Sequence, residues 1–443
     1  MVATARTCAG EKRSRRSGNG KRGRRRAATE SAMSGSDRTA EKISWVDRDM
    51  PVMRALRERF RAETPLAGRR LSVNVHLLPS TVPLLSALRD AGADLVVCGS
   101  NPMSTDSDVA GWLGDHGMTV LAPGLDDLDG DRERLLAALD HHPHVIVDEA
   151  DGLLGLLYAE REELVPTILG ASVHTLTGVR RLHRFADQGH LRFPVIGIDG
   201  SPIKQLFDNE MGTAQSTLDA ITRLTHPLFY GLRAVVAGFG ACGRGIAKAL
   251  AHRGADVIVT EVDPVRALWA VTSGFRVMPA DDAAEVGELF ITATGNINIF
   301  NGSHFARMKD GVTLVNAGHG NGEIDVATLA DTASDSRTVL PLVTEYRDGR
   351  GRRRFLLAEG YPVNTAGSSG HPPGLMDISF AAQALGVEHL VKNASRMSNT
   401  VHQLPQEVQQ HIARAKLAAL EVSIDRQDLE QRQYDDQLSF APR

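Results

Sequence analysis

The chain has 443 residues, 42% of them apolar, with 50 Lys and Arg against 54 Asp and Glu for a formal net charge of −4. That length supports two or more domains with substantial cores, and the charge balance excludes a global basic field of the kind that binds nucleic acid. No apolar run reaches membrane-spanning length, and the three cysteines, Cys8, Cys98 and Cys242, show no metal-ligand spacing and suit a reducing cytoplasm.

Residues 1–40 differ from the rest. Lys12–Arg26 is packed with Arg, Ser and Gly and contains no apolar residue, which predicts an unstructured basic extension. Arg15-Arg16 lacks the apolar stretch that must follow a twin-arginine signal, and Met33 offers an internal start. Met53, Leu56 and Phe60 then recur at helical spacing over 51–62. Strands are expected at Leu71–His76, Leu95–Cys98, Met118–Ala122 and Val145–Val147, with helices at Val82–Leu88 and Leu135–Leu139. This alternation predicts a parallel sheet covered on both faces. Ligands of such sheets bind beyond the carboxyl ends of the strands, where His76, Asn101, Asp148 and Glu149 fall. A strand at Val195–Ile198 leads to Asp199 and the stretch Lys204–Asn209, and a helix from Thr217 enters a second unit.

That unit opens with a buried strand, Ala234–Ala237, followed by Gly238, Gly240 and Gly243 in G-x-G-x-x-G spacing, and then by the helical pattern of Ile246, Ala247 and Leu250. The turn, with Ala241 and Cys242 between its glycines, lets backbone approach a pyrophosphate at a helix N-terminus. Cys242 reads as a small packing residue. A second strand, Val257–Thr260, ends in Glu261, placed to accept from an adenosine ribose and to repel a 2′-phosphate, which favours NAD over NADP. Leu289–Thr292 leads to Thr294-Gly295, Thr313–Asn316 to Gly318-His319, and Arg354–Leu357 to Gly360 and Asn364. Past Gly370-His371-Pro372-Pro373 the chain is expected to recross to the first unit, and 404–433 to form charged amphipathic helices before a polar tail. The fold class is therefore α/β, with two doubly wound parallel-sheet domains and a helical C-terminal extension. The expected boundaries are an extension over 1–40, a substrate domain over 41–214 completed by 371–400, a Rossmann domain over 215–370 and the helical extension over 401–443.

From about Ile43 to about Tyr434 the motifs resemble those of the S-adenosylhomocysteine hydrolase (adenosylhomocysteinase) family. They are Asn101-Pro-Met-Ser-Thr105, Lys204 with Phe207-Asp208-Asn209, Gly238–Gly245, Val259-Thr-Glu-Val-Asp-Pro264, His304-Phe305 with Met308-Lys309-Asp310, Gly318-His319 with Glu323-Ile324-Asp325, Leu356-Leu-Ala-Glu-Gly360, Val363-Asn364 and Gly370-His371-Pro372. The resemblance implies tightly held NAD that oxidises a nucleoside 3′-hydroxyl, removal of the acidified C4′ proton, elimination of the 5′ substituent, and re-reduction of the ketone. It implies that Lys204 and Asp208 bind the 3′-hydroxyl and move its proton, and that His76 and His319 stand at the 5′ side. It further implies that Thr175, Thr177, Asn209 and Asn364 contact the nicotinamide end of NAD, with Thr294 and Gly295 also on the cofactor, and that His371 lies near the adenine. The resemblance implies a nucleoside partner, with no nucleic acid or membrane, and a cytoplasmic homo-oligomer, dimer or tetramer.

The departures from the family concern the substrate. Its aspartate at the sugar is Glu149 here, beside a retained Asp148, and its glutamate is His174. The adenine-binding threonine and glutamate are Leu78 and Ser80, a cysteine near the sugar is Thr213, and the phenylalanine and aspartate after the second histidine are Gly320 and Asn321. The family's lysine and tyrosine that reach a neighbouring subunit's NAD are not seen in Gln437–Arg443. A kept cofactor half and an altered substrate half suggest a paralogue that dehydrates a nucleoside at 4′,5′ in natural-product biosynthesis. The alternatives are hydrolysis of S-adenosylhomocysteine and a non-catalytic NAD-binding regulator.

Overall fold

The computed structural model describes residues 35–122 and 130–438, with side chains to 435. The extension expected over 1–34 and the tip of the tail lie outside the described residues. Residues 35–40, assigned by sequence to that extension, instead open a helix, Gly35–Arg48, whose Thr39 and Ile43 are buried.

Six parallel strands follow in the first domain: β1 (Arg70–Val75), β2 (Asp94–Gly99), β3 (Thr119–Leu121), β4 (Val145–Asp148), β5 (Gly170–Val173) and β6 (Val195–Gly197). The second domain carries β7 (Arg233–Ala237), β8 (Asp256–Thr260), β9 (Arg276–Val277), β10 (Leu289–Thr292), β11 (Val312–Asn316), β12 (Ala333–Leu340), β13 (Val343–Asp348) and β14 (Arg353–Leu357), and β15 (Val401–Gln403) comes last. The first sheet runs β15-β6-β5-β4-β1-β2-β3 and the second β12-β13-β14-β11-β10-β7-β8-β9. All pairings are parallel except those of β12 with β13 and of β13 with β14.

Alternation along each strand sends side chains to two helical layers. Leu71, Val73 and Val75 of β1 join one core cluster with Val97 and Val147, while Val96, Cys98 and Ile146 join the cluster on the opposite face. In the second sheet Ala234 and Val236 face one cluster, and Val235 and Ala237 the other.

The chain crosses between domains twice. The first crossing is a continuous helical run, Pro202–Lys204, a π-helical segment Gln205–Gly212, and Thr213–Thr225. It starts well before Thr217, where sequence periodicity places it, because the wider π turn hides the usual spacing. The second crossing passes Val363–Ala366 and Gly370, whose φ is +78°, into the long helix Pro373–Asn393, buried over most of its length. Residues 401–419, expected within a helical extension, instead complete the first domain. Val401–Gln403 pairs with β6, and Ile412 of the helix Gln406–Ala419 is buried in the first core. Leu420, Val422 and Ile424 then lie exposed before a last helix, Leu429–Leu438.

Candidate active site

The carboxyl ends of β1, β4, β5 and β6 face those of β7, β8, β10 and β11 across a cleft of about 1370 Å³. Its cofactor side is built from the glycine turn. Gly238 has φ +94°, which a side chain would strain. A Cβ on Gly243 would collide with the carbonyl oxygen of Gly238, so the turn and the helix Ala241–His252 close on each other only through glycine. Glu261 fastens that turn to the end of β8, accepting from Phe239 N at 2.7 Å, Val262 N at 2.7 Å and Asp263 N at 3.0 Å. Cys242 donates to Thr213 Oγ1 at 3.6 Å, and burial pushes its thiol up to about 11, so it is a packed thiol rather than a nucleophile.

Opposite, the turn Thr294-Gly295 is held by Glu323, which sequence reading placed in a motif without a role. Its carboxylate accepts from Thr294 N at 2.9 Å, Thr294 Oγ1 at 2.7 Å and Gly295 N at 2.8 Å. Thr175 and Thr177 come from the start of the helix Leu176–Asp187 that follows β5, and Asn209 and Asn364 from the two crossings; all line the cleft. Thr175 Oγ1 and Asn364 Oδ1 are buried without a hydrogen-bond partner among the described residues. Unpaired polar atoms beside a glycine-walled cradle fit a polar, pyrophosphate-containing ligand.

The centre of the cleft is a cage of charge. In a π turn residues i, i+4 and i+5 share a face, so the segment from Lys204 brings Asp208 and Asn209 together. Lys204 Nζ lies 2.6 Å from Asp208 Oδ2 and donates to Asn209 Oδ1 at 3.1 Å. Asn209 Nδ2 donates in turn to Asp199 Oδ2 at 2.7 Å. Lys204 is 4% exposed and Asp208 1%. Burial alone would neutralise both, but their pairing wins. Against desolvation, Lys204, His371 and His174 hold Asp208 well below the ordinary carboxyl value, and Asp208 and Asp199 hold Lys204 above its own. Ser379 Oγ donates to Asp208 Oδ2 at 2.5 Å, and His371 Nδ1 lies 2.9 Å from Oδ1 while its Nε2 accepts from Asn364 at 3.1 Å. Thr213 Oγ1 stands 3.4 Å from that same Nε2.

His76 faces the far end. Asn101 accepts from Ser104 N at 2.9 Å and so folds the turn that brings the hydroxyls of Ser104 and Ser100 to within 2.6 Å and 3.0 Å of His76 Nδ1. Its Nε2 lies 3.9 Å from Glu149 Oε1. Burial, with His319, His174 and His371 nearby, lowers His76 to about 4 despite Glu149. Burial likewise lowers His319. Glu149 is pushed up by burial and pulled further down by His174, His76, His319 and Lys204, so it stays ionised. His174 lies between the two ends, its Nε2 3.4 Å from Asp208 Oδ2 and its Nδ1 3.9 Å from Glu149 Oε2.

The structure keeps two predicted residues off the cleft wall: Gly243, which packs against Gly238, and Asp148. Its carboxylate accepts from Asn74 at 2.9 Å and from Leu153 N and Leu154 N at 2.9 and 3.3 Å, so it caps the helix Gly152–Glu160, and burial raises it to about 6. Leu78 and Ser80 line the cleft as expected, joined by Met376 and Phe380 from the long helix. Those two, Ser379 and Asp199 were not read as site residues. Asp199 alone had a signal, its place at a strand end.

Among the described residues no cluster is arranged to hold a metal ion, and no helix is long and apolar enough to cross a membrane.

Comparison with known proteins gives a consistent result. The family model described as S-adenosyl-L-homocysteine hydrolase matches residues 31–163, and that described as S-adenosyl-L-homocysteine hydrolase, NAD binding domain, matches residues 209–370. The chain is 42% identical over 395 residues to the adenosylhomocysteinase of Aquifex aeolicus, covering 89% of this chain and 94% of that protein. It is 44% identical to that of Thermosynechococcus vestitus over 395 residues, 89% and 92% of the two chains, and 44% identical to that of Thermotoga maritima over 393 residues, 89% and 97%.

Proposed function

The chain belongs to the S-adenosyl-L-homocysteine hydrolase family, and we propose that it is an NAD-dependent enzyme that removes water across C4′ and C5′ of a nucleoside. The observation that carries this reading is the asymmetry of the cleft. The glycine turn, Glu261, Asn209 and the Lys204–Asp208 pair equip it for redox chemistry, while the sugar and base side holds His174, Glu149, Leu78 and Ser80.

Bound NAD supplies the acceptor for the C3′ hydride and later returns it. Lys204 and Asp208 hold the 3′-hydroxyl and take its proton. The ketone acidifies C4′–H, whose loss leaves the electron pair that expels the 5′ oxygen. A hydroxide is a far poorer leaving group than a thiolate, so this oxygen must leave as water and needs a proton at the moment of departure. Glu149, His76, His174 and His319 crowd that side with groups able to carry one. Return of the hydride and a proton to the ketone restores the 3′-hydroxyl and leaves a 4′,5′-alkene. Leu78, Met376 and Phe380 give the base an apolar wall with few polar contacts, which reads shape more than hydrogen-bonding pattern.

The second reading is hydrolysis of S-adenosylhomocysteine to adenosine and homocysteine, favoured by the names and identities of the relatives. Mass spectrometry of the NAD-loaded protein incubated with S-adenosylhomocysteine, and separately with 5′-hydroxy nucleosides, decides between them. The expected product is a nucleoside lighter by one water. Homocysteine released at an ordinary rate of about 1 per second or more overturns the dehydration reading.

A further inference from the structure

We propose that His174 relays a proton between the two ends of the cleft, from the Lys204–Asp208 pair to Glu149. The inference rests on the oxidation and elimination sequence above but not on which group leaves. The ring is 3% exposed and packs edge-on against Phe380, with centroids 6.0 Å apart. Its two nitrogens face two different carboxylates, Asp208 at 3.4 Å and Glu149 at 3.9 Å. Nδ1 is buried without a hydrogen-bond partner among the described residues. Beyond these carboxylates stand Lys204, 2.6 Å from Asp208, and His76, 3.9 Å from Glu149. The order Lys204, Asp208, His174, Glu149, His76 is one file of proton carriers. Each gap at His174 is within about one ångström of hydrogen-bond length, a span that a side-chain rotation or a bridging water closes.

An imidazole can accept at one nitrogen while releasing from the other, and so can link two carboxylates on opposite sides of its ring. When the C3′ hydride leaves, the 3′-hydroxyl proton passes to Lys204–Asp208, enters the ring at Nε2, leaves at Nδ1 to Glu149, and reaches the departing 5′ atom directly or through His76. The proton taken from C4′ remains in the cleft and returns to the 3′ oxygen with the hydride. Two protons leave the sugar and two are used, so the cycle needs no exchange with bulk water.

The test is the dependence of His174→Gln on the leaving group, in single turnovers of the NAD-loaded enzyme. NADH absorbance reads the oxidation, and product analysis reads the elimination. The probes are adenosine, a 5′-thioether of adenosine, and 5′-chloro-5′-deoxyadenosine, whose chloride departs without a proton. Expulsion of oxygen should slow about 100-fold, expulsion of sulfur less but measurably, chloride expulsion and NADH formation least, and Glu149→Gln should reproduce the pattern. Equal slowing of NADH formation and of all three expulsions would assign His174 a merely structural role, and no slowing would remove it from the proton path. If the unmutated enzyme expels the thiol and never water, the dehydration reading fails while the relay is still read on sulfur.

Discussion

Asp148 and Glu149 are adjacent carboxylates with opposite duties, and strand geometry separates them. β4 ends at Asp148, whose side chain turns into the core to cap a helix, while Glu149 turns out into the cleft. Asp148→Asn would set an amide donor against Asn74 or against the backbone N–H groups, at a cost of about 1–3 kcal/mol. The expected result is a lowered denaturation midpoint with NADH formation retained; Glu149→Gln should give the reverse, a normal midpoint and a stalled elimination. Denaturant melts and NADH absorbance on both variants check this, and a stable but redox-dead Asp148→Asn would return Asp148 to the chemistry. His76 makes a second prediction. Its ordinary value of 6.5 falls to about 4 in the fold, so between those values the unfolded chain binds a proton that the folded chain refuses. The stability tied to neutral His76 is therefore full above 6.5 and is lost as pH falls from 6.5 to 4. The stability difference between the native protein and His76→Asn should shrink over that window, and a constant difference would show that burial does not suppress its protonation. Residues of this kind were legible only where a motif framed them. Ser379 and Phe380 reach the site from a helix far along the chain, and nothing local marks a serine or phenylalanine on a buried helix as facing a cleft.

At the scale of elements, the π segment Gln205–Gly212 does most to assemble the site. It places Lys204, Asp208 and Asn209 on one face and also abuts the cofactor helix. A Cβ on Gly245 would collide with the carbonyl of Glu210, at the point where the helix Ala241–His252 touches the π turn. Arg244 and Lys248 of that helix pair with Glu210 from the same side. Gly245→Ala should therefore disturb Asp208 and Asn209 without reaching the glycine turn, costing about 1–3 kcal/mol and slowing NADH formation more than it weakens NAD binding. Calorimetric NAD titration beside single-turnover absorbance separates the two; a pure binding defect would place Gly245 in the cofactor cradle instead. The same scale explains what sequence reading found and missed. β7, β8, β10 and β11 are short apolar runs each ending in a functional residue, and all were legible. β5, Gly170-Ala-Ser-Val173, is too short and too small in side chains to stand out. β12 is exposed at nearly every position because it forms a sheet edge, so it carries no apolar alternation.

The whole molecule leaves apolar surface outside its own cores. Leu420, Val422, Ile424, Leu429 and Tyr434 are exposed along the C-terminal segment, as are Leu228 and Tyr230 between the first crossing and β7. Such surface argues for association with further copies of the chain, and light scattering should give the mass of a dimer or tetramer; a monomer's mass at micromolar concentration would refute it.

Closure of the cleft is the remaining step at this scale. Its two walls belong to different domains, and the crossings between them differ in stiffness. The first is an unbroken helical run through Lys204 and Asp208. The second turns at Gly370, whose positive φ would strain any side chain and where a Cβ would press on the end of the Leu78 side chain. A 3′-ketone beside an acidified C4′–H is vulnerable to water, and the charge cage works best when water is excluded. Rotation about these two segments would press His319 of the second domain closer on Glu149 and His76 of the first, which it already neighbours, and shut water out of the proton-carrying side. Small-angle scattering of the NAD-loaded protein should therefore show a smaller radius of gyration with a bound nucleoside. Gly370→Ala, which sets a strained φ and pressure on Leu78 at this crossing, should weaken the contraction and slow turnover. An unchanged radius in the unmutated protein would mean that the cleft is already in its working form.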